Sequence, residues 1–175
     1  LGLRAFHQFA VLEMGMRGAG QIDYLAQLAR PDVAVVVNAG TAHMELLGSM
    51  EAILRAKCEI FGGLVPGGVA VYPADDARFA PLVRQVAPHA RHFTFGEAAH
   101  ADVRLLAVTS RGAAGNELEI SAQGNVCRVM LRLVGKHNAI NACAALAACF
   151  ALPSLAQNHD HHAARAAVGL EHRRV

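Results

Sequence analysis

Polar side chains that can bind an ion or a phosphate follow three apolar segments, each at the point where the segment ends. They are Glu13 after residues 9–12, Asn38 after residues 33–37, and Asp75 with Asp76 after residues 69–72. If the segments are parallel strands, their carboxyl ends meet at one sheet edge, which is where open sheets bind ligands. One or two carboxylates plus phosphate oxygens are the ligands that Mg²⁺ uses in proteins. The pattern therefore indicates a metal or oxyanion site, although each residue alone is equally well explained as a strand cap or a turn residue.

A histidine and a lysine add to this pattern. His43 lies in the loop predicted after Asn38, where it fits either a surface histidine or a metal ligand. Lys57 falls on the predicted core-facing side of a helix, which it shares with Ile53, Ile60, Phe61 and Leu64. Either its stem packs there while the ammonium group reaches water, or the amine lies in a desolvated pocket where it can react or be modified.

The segment 135–141 opens a predicted Ala-rich helix and carries three polar side chains, His137, Asn138 and Asn141. Asn138 and Asn141 are three residues apart, so they share a helix face beside the free N–H groups of the first turn. Side chains placed there are candidates for a binding site. The alternative is that Asn138 is the N-cap and Asn141 a chance polar residue.

The elements that would position these residues alternate in type. Apolar segments 9–12, 33–37 and 69–72 predict strands, and helical spacing predicts helices over 22–30 and 49–64. After about residue 90 the pattern predicts four short strands, 91–95, 102–109, 117–121 and 126–133, of which the last three form an antiparallel meander. Helices are expected over 137–150 and, after Pro153, to about residue 168. The predicted fold class is α/β, a mostly parallel sheet flanked by helices with a small antiparallel insert at about 90–134.

Composition excludes several classes of protein. The chain has 175 residues, which suits one domain, and its 54% hydrophobic and 17% charged residues exclude intrinsic disorder. The longest apolar run, 142–152, is shorter than the about 20 residues that a membrane span needs. The net charge is +2 and the basic residues are scattered, so neither a nucleic acid nor a membrane is an expected partner.

The cysteine spacing and the absence of known catalytic and phosphate-binding motifs exclude further kinds of site. Four cysteines without a C-x-x-C pair predict reduced thiols and no zinc site, and the histidines in 159–162 are expected to form a solvated face. The chain contains no G-x-x-x-x-G-K-[ST] phosphate loop, no Gly-rich dinucleotide fingerprint and no G-x-S-x-G elbow. Its first residues are neither an initiator Met nor a signal peptide, so we expect a fragment of a longer protein.

Several separated motifs between about residues 8 and 150 nevertheless resemble one family. They are the strings 11–16, 20–22, 31–32, 38–43, 47–49 and 56–61, the pair Asp75–Asp76, and the pattern G-x-H-N-x-x-N-A from Gly135 to Ala142. Together they resemble the central domain of the Mur ligases. Within that family the closest pattern is that of the members adding D-alanyl-D-alanine to UDP-N-acetylmuramoyl tripeptide. Members that add earlier residues usually carry Asp-His where this chain has Ala42-His43.

The resemblance implies an ATP- and magnesium-dependent amide ligase of peptidoglycan synthesis that works through an acyl phosphate. It implies that Glu13 and His43 hold a magnesium ion and that Lys57 is carbamylated to support that metal. It further implies that His137, Asn138 and Asn141 contact the adenosine end of ATP. Asn38, Asp75 and Asp76, which follow the strands, are candidate supporting residues of the site. A cytoplasmic, monomeric parent enzyme in a bacterium is expected.

The chain departs from the family pattern in ways that leave alternative functions open. The phosphate loop and the flanking N- and C-terminal domains are absent, so residues 1–175 are expected to be a partial central domain that is inactive alone. Another Mur-type or folylpolyglutamate-type ligase is the alternative among enzymes, because the missing domains select the substrate. A non-catalytic ligase-like module is the alternative outside enzymes, and joint retention of Glu13, His43 and Lys57 argues against it.

Overall fold

One mixed sheet with helices on both faces organises the chain. The structure, a computed structural model, describes residue 4 and residues 6–40, 48–152 and 164–169, the last segment as backbone only. The strands are β1 (Phe9–Glu13), β2 (Val33–Val36), β3 (Val69–Pro73), β4 (Arg91–Gly96), β5 (Val103–Ser110), β6 (Asn116–Ala122), β7 (Asn125–Leu131) and β8 (Ala164–Gly169). The helices are α1 (Gln21–Ala29), α2 (Met50–Cys58), α3 (Phe79–Val86) and α4 (Lys136–Ala151), with 3₁₀ turns at Glu59–Gly63 and Gly112–Ala114.

The strand order is β1-β8-β2-β3-β4-β5-β6-β7. Every pairing from β1 to β5 is parallel, whereas β6 is antiparallel to both β5 and β7. The predicted α/β class with a mostly parallel sheet is confirmed. The antiparallel part, however, begins at β5, because Arg91–Gly96 pairs parallel with β3. The meander extends the edge of the same sheet.

The continuous apolar character of β2 follows from burial on both faces, as parallel strands require. Ala34 and Val36 belong to a core that includes residues of α1, α2 and α3, whereas Val33 and Val35 belong to a second core with α4. Strand β3 is likewise buried along its whole length. The sheet is thus a rigid central layer from whose carboxyl edge loops emerge.

The helix predicted from Pro153 to about residue 168 is wrong where the structure describes it, because Ala164–Gly169 is strand β8. Residues 153–163 lie outside the described part of the chain. Strand β8 pairs in parallel with β1 on one side and β2 on the other, so long-range hydrogen bonds satisfy its backbone. The intrinsic helix propensity of its alanines is small, and this tertiary pairing outweighs it.

Two helices differ from the prediction. The single helix expected over 49–64 divides into α2, which Ser49 caps by accepting a hydrogen bond from the Ala52 N–H, and a 3₁₀ turn beginning at Glu59. Helix α3 was not predicted, although Phe79 and Val83 lie four apart on its buried side. Among the described residues, no helix has the length and apolar character of a membrane span.

Candidate active site

The carboxyl ends of the parallel strands bring most of the predicted site residues to one edge of the sheet. Glu13 and Val35 both pair with Val168 of β8, so Glu13 is level with the end of β2. With one strand between them, β1 and β2 are roughly 10 Å apart at this level. Because β5 and β7 run in the same direction, the chain also enters α4 at this edge. Glu13, Asn38 and Asp75 therefore share one side of the molecule, as their positions after the strands predict, and the start of α4 lies on the same side.

Glu13 is exposed at the end of β1, directly before a well-anchored loop. The side chains of Met14 and Met16 are buried in the core beneath the loop. The backbone N–H of Arg17 donates to Oε1 of Gln21 at 2.7 Å, which joins the loop to the first turn of α1. The carboxylate is thus presented to solvent from a fixed backbone, the arrangement that an ion ligand needs.

Lys57 connects α2 to the end of β2. Its Nζ atom donates a hydrogen bond to the carbonyl oxygen of Asn38 at 3.2 Å. Its helix neighbours Ile53, Ile60 and Phe61 are fully buried, and Lys57 itself is only half-buried. The predicted core-facing stripe therefore exists, and the amine of Lys57 emerges from it at the carboxyl edge of the sheet.

Asp75 and Asp76 have partners within the protein. The carboxylate of Asp75 accepts hydrogen bonds from the backbone N–H groups of Glu97, at 2.9 and 3.0 Å, and of Ala98, at 2.6 Å. It thereby fastens the loop after β3 to the loop after β4. Asp76 binds the guanidinium group of its near neighbour Arg78 at 2.6 and 2.8 Å, which holds the pKa of Asp76 below its ordinary value.

No side chain caps the N-terminus of helix α4. Its N-cap is Gly135, so the interpretation of Asn138 as N-cap is wrong. Instead, Nδ2 of Asn138 donates to the carbonyl oxygen of Val134 at 2.8 Å. Lys136 forms an ion pair with Glu97 at 2.8 Å, which links the helix start to the loop that Asp75 fastens. His137 is exposed in the same turn.

A cavity of about 380 Å³ lies beside α4, a size typical of small-molecule sites. Its lining is mostly apolar, and Asn138 and Asn141 contribute the polar groups. The remaining lining residues are Val35, Val37, Leu131, Leu133, Ala142, Ala144, Ala145 and Ala148. Mostly apolar walls with two amides suit a flat ring that carries a few hydrogen-bonding groups. His137 does not line this cavity.

The predicted magnesium site is only partly described. His43 lies outside the described residues, as does the histidine cluster at 159–162. Within the described ranges, no three His, Cys, Asp or Glu side chains come together as a metal-binding group. Glu13 supplies a hard carboxylate oxygen at the sheet edge, and a single carboxylate agrees with the way Mg²⁺ is usually held together with phosphates.

Two residues that organise this edge were missed by sequence reasoning. The carboxylate of Glu59 accepts hydrogen bonds from the backbone N–H groups of Gly20, at 2.7 Å, and Asp23, at 3.2 Å, and so caps α1. Gly20 has no side chain that could cap its own helix, and this was the available signal. The other is Asn116, whose buried amide binds the loop before α4; its sequence context gave no signal.

Comparison with known proteins shows the family to which this fold belongs. The sequence pattern of the Mur ligase middle domain matches residues 3–149. The chain belongs to the Mur ligase family. This middle domain is similar to the UDP-N-acetylmuramoyl-tripeptide–D-alanyl-D-alanine ligase of Bacillus subtilis (strain 168), with 43% identity over 141 residues. That match covers 81% of this chain and 29% of the relative.

Solved structures of the family share this fold. MurF from Acinetobacter baumannii matches with a TM-score of 0.79 and 35% identity, over 86% of this chain and 32% of that one. MurF ligase from Thermotoga maritima, solved in complex with ADP, matches with a TM-score of 0.65 and 28% identity, over 82% and 32% of the two chains. This Mur ligase middle domain thus spans about a third of the length of the relatives it matches.

Proposed function

We propose that the protein containing this chain is an ATP-dependent ligase that joins D-alanyl-D-alanine to UDP-N-acetylmuramoyl tripeptide. The observation that carries this proposal is the 43% identity to a ligase named for that reaction. The middle-domain pattern covers residues 3–149, and the fold match to MurF from Acinetobacter baumannii covers 86% of this chain.

The nucleotide would bind at the carboxyl edge, with its adenosine end beside α4. The mostly apolar cavity and its two asparagines, Asn138 and Asn141, support this placement, and His137 is on the adjoining turn. A relative with the same fold binds ADP. The amides would recognise hydrogen-bonding groups of the nucleotide, while the apolar walls exclude water from its flat face.

The phosphate end of the nucleotide would lie nearer Glu13 and Lys57. In this proposal Glu13 and His43 hold a magnesium ion, which would neutralise charge on the transferring phosphoryl group. Lys57 is carbamylated: its neutral amine forms an N–C bond to carbon dioxide and loses a proton, which replaces a cation by a carboxylate-like anion. Asn38, whose carbonyl oxygen accepts from Lys57 Nζ, would orient that side chain, and Asp75 and Asp76 would fix the neighbouring loops.

The reaction divides into two steps. A carboxylate oxygen of the tripeptide attacks the γ-phosphorus of ATP, which forms an acyl phosphate and releases ADP. The amine of D-alanyl-D-alanine then adds to the acyl carbon, loses a proton, and the tetrahedral intermediate expels inorganic phosphate. Positioning and charge stabilisation account for most of the catalysis of phosphoryl transfer. The fixed backbone around Glu13 and Lys57 suits that requirement.

The cellular setting belongs to the same proposal. Peptidoglycan precursors are assembled in the cytoplasm, and we assign the parent enzyme to that compartment, as a monomer without nucleic acid or membrane partners. The scattered basic residues of the chain agree with the lack of a nucleic-acid partner.

The test is a ligation assay on the full-length protein. Phosphate release is measured with ATP, magnesium, UDP-N-acetylmuramoyl tripeptide and D-alanyl-D-alanine together, and again with each one left out. We expect turnover only in the complete mixture. Release that is supported instead by UDP-N-acetylmuramate with L-alanine would assign the protein to a sibling ligase. No release with any Mur substrate, from folded protein that binds ATP, would contradict the proposal.

A further inference from the structure

Asn116 is the buried polar residue that the proposed mechanism leaves unexplained. The residue is 3% exposed, and no other Asn, Gln, Ser, Thr or charged residue in the described part of the chain is buried. It occupies the first position of β6 and pairs with Leu131, the last residue of β7. A buried amide costs free energy unless its N–H groups are hydrogen-bonded. Its partners therefore show what it does.

Both partners lie in the loop that leads into α4. Nδ2 of Asn116 donates to the carbonyl oxygens of Leu133, at 3.0 Å, and Gly135, at 3.2 Å. The carbonyl oxygen between them, that of Val134, accepts from Nδ2 of Asn138. Three successive carbonyl groups are thus bound by two side-chain amides, one from the sheet and one from the helix.

The loop has a conformation that requires glycine at its last position. Gly135 has a φ of 93°, and a Cβ atom there would overlap the ring of His137. Leu133 lines the cavity beside α4, as does Asn138. The loop held by Asn116 therefore forms part of the wall of the cavity and also binds one of its two asparagines.

We infer that Asn116 is a positioning residue of the nucleotide site: its buried amide fixes the loop 133–135 and, through it, the side chain of Asn138. The inference rests on the nucleotide site proposed above. Asn116 does not line the cavity, so it acts through the loop and not by touching the nucleotide. A purely structural Asn116 would affect stability alone.

The test uses Asn116→Leu in the full-length ligase. Leucine has a similar size and no donor, so the Leu133 and Gly135 carbonyl groups lose their partner. We expect the KM for ATP and the Kd for ADP to rise about 2- to 10-fold, the cost of one displaced hydrogen bond, with kcat changed less than twofold. Asn116→Ser, which retains one shorter donor, should give a smaller rise and covers the case in which Asn116→Leu does not fold.

Two controls separate positioning from stability. Val83→Ala lowers stability from the opposite face of the sheet, in the core that contains α3. Asn125→Leu removes a like hydrogen bond, from Nδ2 of Asn125 to the Gln123 carbonyl, at the far end of the β6–β7 hairpin. Both should leave the KM for ATP unchanged at a temperature where all variants are folded. An equal rise in KM in Val83→Ala would overturn the inference.

A double variant distinguishes this inference from the function on which it rests. If Asn116 acts through Asn138, Asn116→Leu should change ADP affinity little once Asn138→Ala is present. Fully additive effects, or a normal ADP affinity in both Asn116 variants while Asn138→Ala binds weakly, would overturn the positioning role alone. If Asn138→Ala itself binds ADP normally, the nucleotide site proposed for α4 fails, and the inference fails with it.

Discussion

The Nζ atom of Lys57 lies 3.2 Å from the carbonyl oxygen of Asn38 and joins helix α2 to the carboxyl end of β2. This contact holds the amine at the sheet edge that also carries Glu13. Lys57→Arg keeps a positive charge but cannot form a carbamate, because a guanidinium group stays protonated. We expect the full-length ligase to lose ligation while its unfolding midpoint stays near that of the unchanged protein.

Ligation kinetics beside thermal melts check the Lys57 prediction. Arg55→Lys on the exposed side of the same helix is the matched control and should be active, since its partner Glu51 is exposed as well. Lys57→Ala should also be inactive, and a small carboxylic acid in the assay should restore part of its activity. Near-normal ligation by Lys57→Arg would refute the carbamate assignment.

Asn138→Ala tests the nucleotide site directly. Loss of one or two hydrogen bonds to the nucleotide should weaken ATP binding by about 1–3 kcal/mol. The KM for ATP should rise while kcat changes little, because these contacts are equal in the ground and transition states. The measurement is steady-state kinetics at varied ATP together with a thermal melt. An unchanged KM with a lower melting temperature would show that Asn138 only stabilises the fold, through its hydrogen bond with Val134.

Glu59→Gln tests the long-range cap of α1. The amide retains one acceptor, but its NH₂ group faces a backbone N–H in place of a carboxylate oxygen, and the negative charge at the helix N-terminus is lost. We expect a loss of about 1 kcal/mol in the free energy of unfolding. Urea denaturation measures it, with Glu51→Gln as control. Glu51 forms an exposed pair with Arg55, and its loss should cost about 0.5 kcal/mol or less.

Asp75 and Asp76 should differ in their effect on stability. Asp75→Ala leaves the N–H groups of Glu97 and Ala98 without their carboxylate partner, so we expect a loss of about 1–3 kcal/mol. Asp76→Ala removes only a local pair with Arg78 and should cost less.

Because Arg78 lowers the pKa of Asp76, the Asp76 contribution is present at neutral pH and is lost as the pH falls below 3.8. Urea denaturation at pH 7 and pH 3 measures both losses. Equal losses for the two variants at pH 7, or a loss for Asp76→Ala that is the same at both pH values, would contradict the prediction.

The buried thiols should make stability fall at alkaline pH. Burial raises the pKa of Cys58 to about 12 and that of Cys143 to about 11, from an ordinary value of 9.0. The folded state therefore keeps protons that the unfolded state loses, and stability should decline as the pH rises above 9.0. Urea midpoints at pH 8 and pH 10 measure the decline, which Cys58→Ala should reduce.

Alkylation provides an independent check on the thiols. Cys127 and Cys149 are exposed, whereas Cys58 and Cys143 are buried. Iodoacetamide at pH 8 should therefore label Cys127 and Cys149 in the folded chain, and all four cysteines only after unfolding. Mass spectrometry of the labelled peptides locates the modified residues. Rapid labelling of Cys58 in the folded chain would contradict its burial.

The sequence by itself determined strands β1 to β7 of the sheet and the edge that carries the polar groups. The β-branched segment at 33–37 is apolar at every position because it is buried on both faces, and such a pattern is local information. Glu13 is the last residue of β1, and Asn38 and Asp75 come two residues after β2 and β3, so parallel pairing alone brings them to one edge. The face that Lys57 shares with Ile53 and Phe61 likewise follows from helical spacing.

Tertiary structure decided the contacts between groups that are distant in the sequence. Glu59 caps a helix whose N-cap, Gly20, lies 39 residues earlier, and Asn116 binds carbonyl groups 17 and 19 residues later. No local pattern records such pairs, because each depends on how the elements are packed. For the same reason Ala164–Gly169, with a helix-favouring composition, forms strand β8: two neighbouring strands satisfy its backbone, and their hydrogen bonds outweigh a weak local preference.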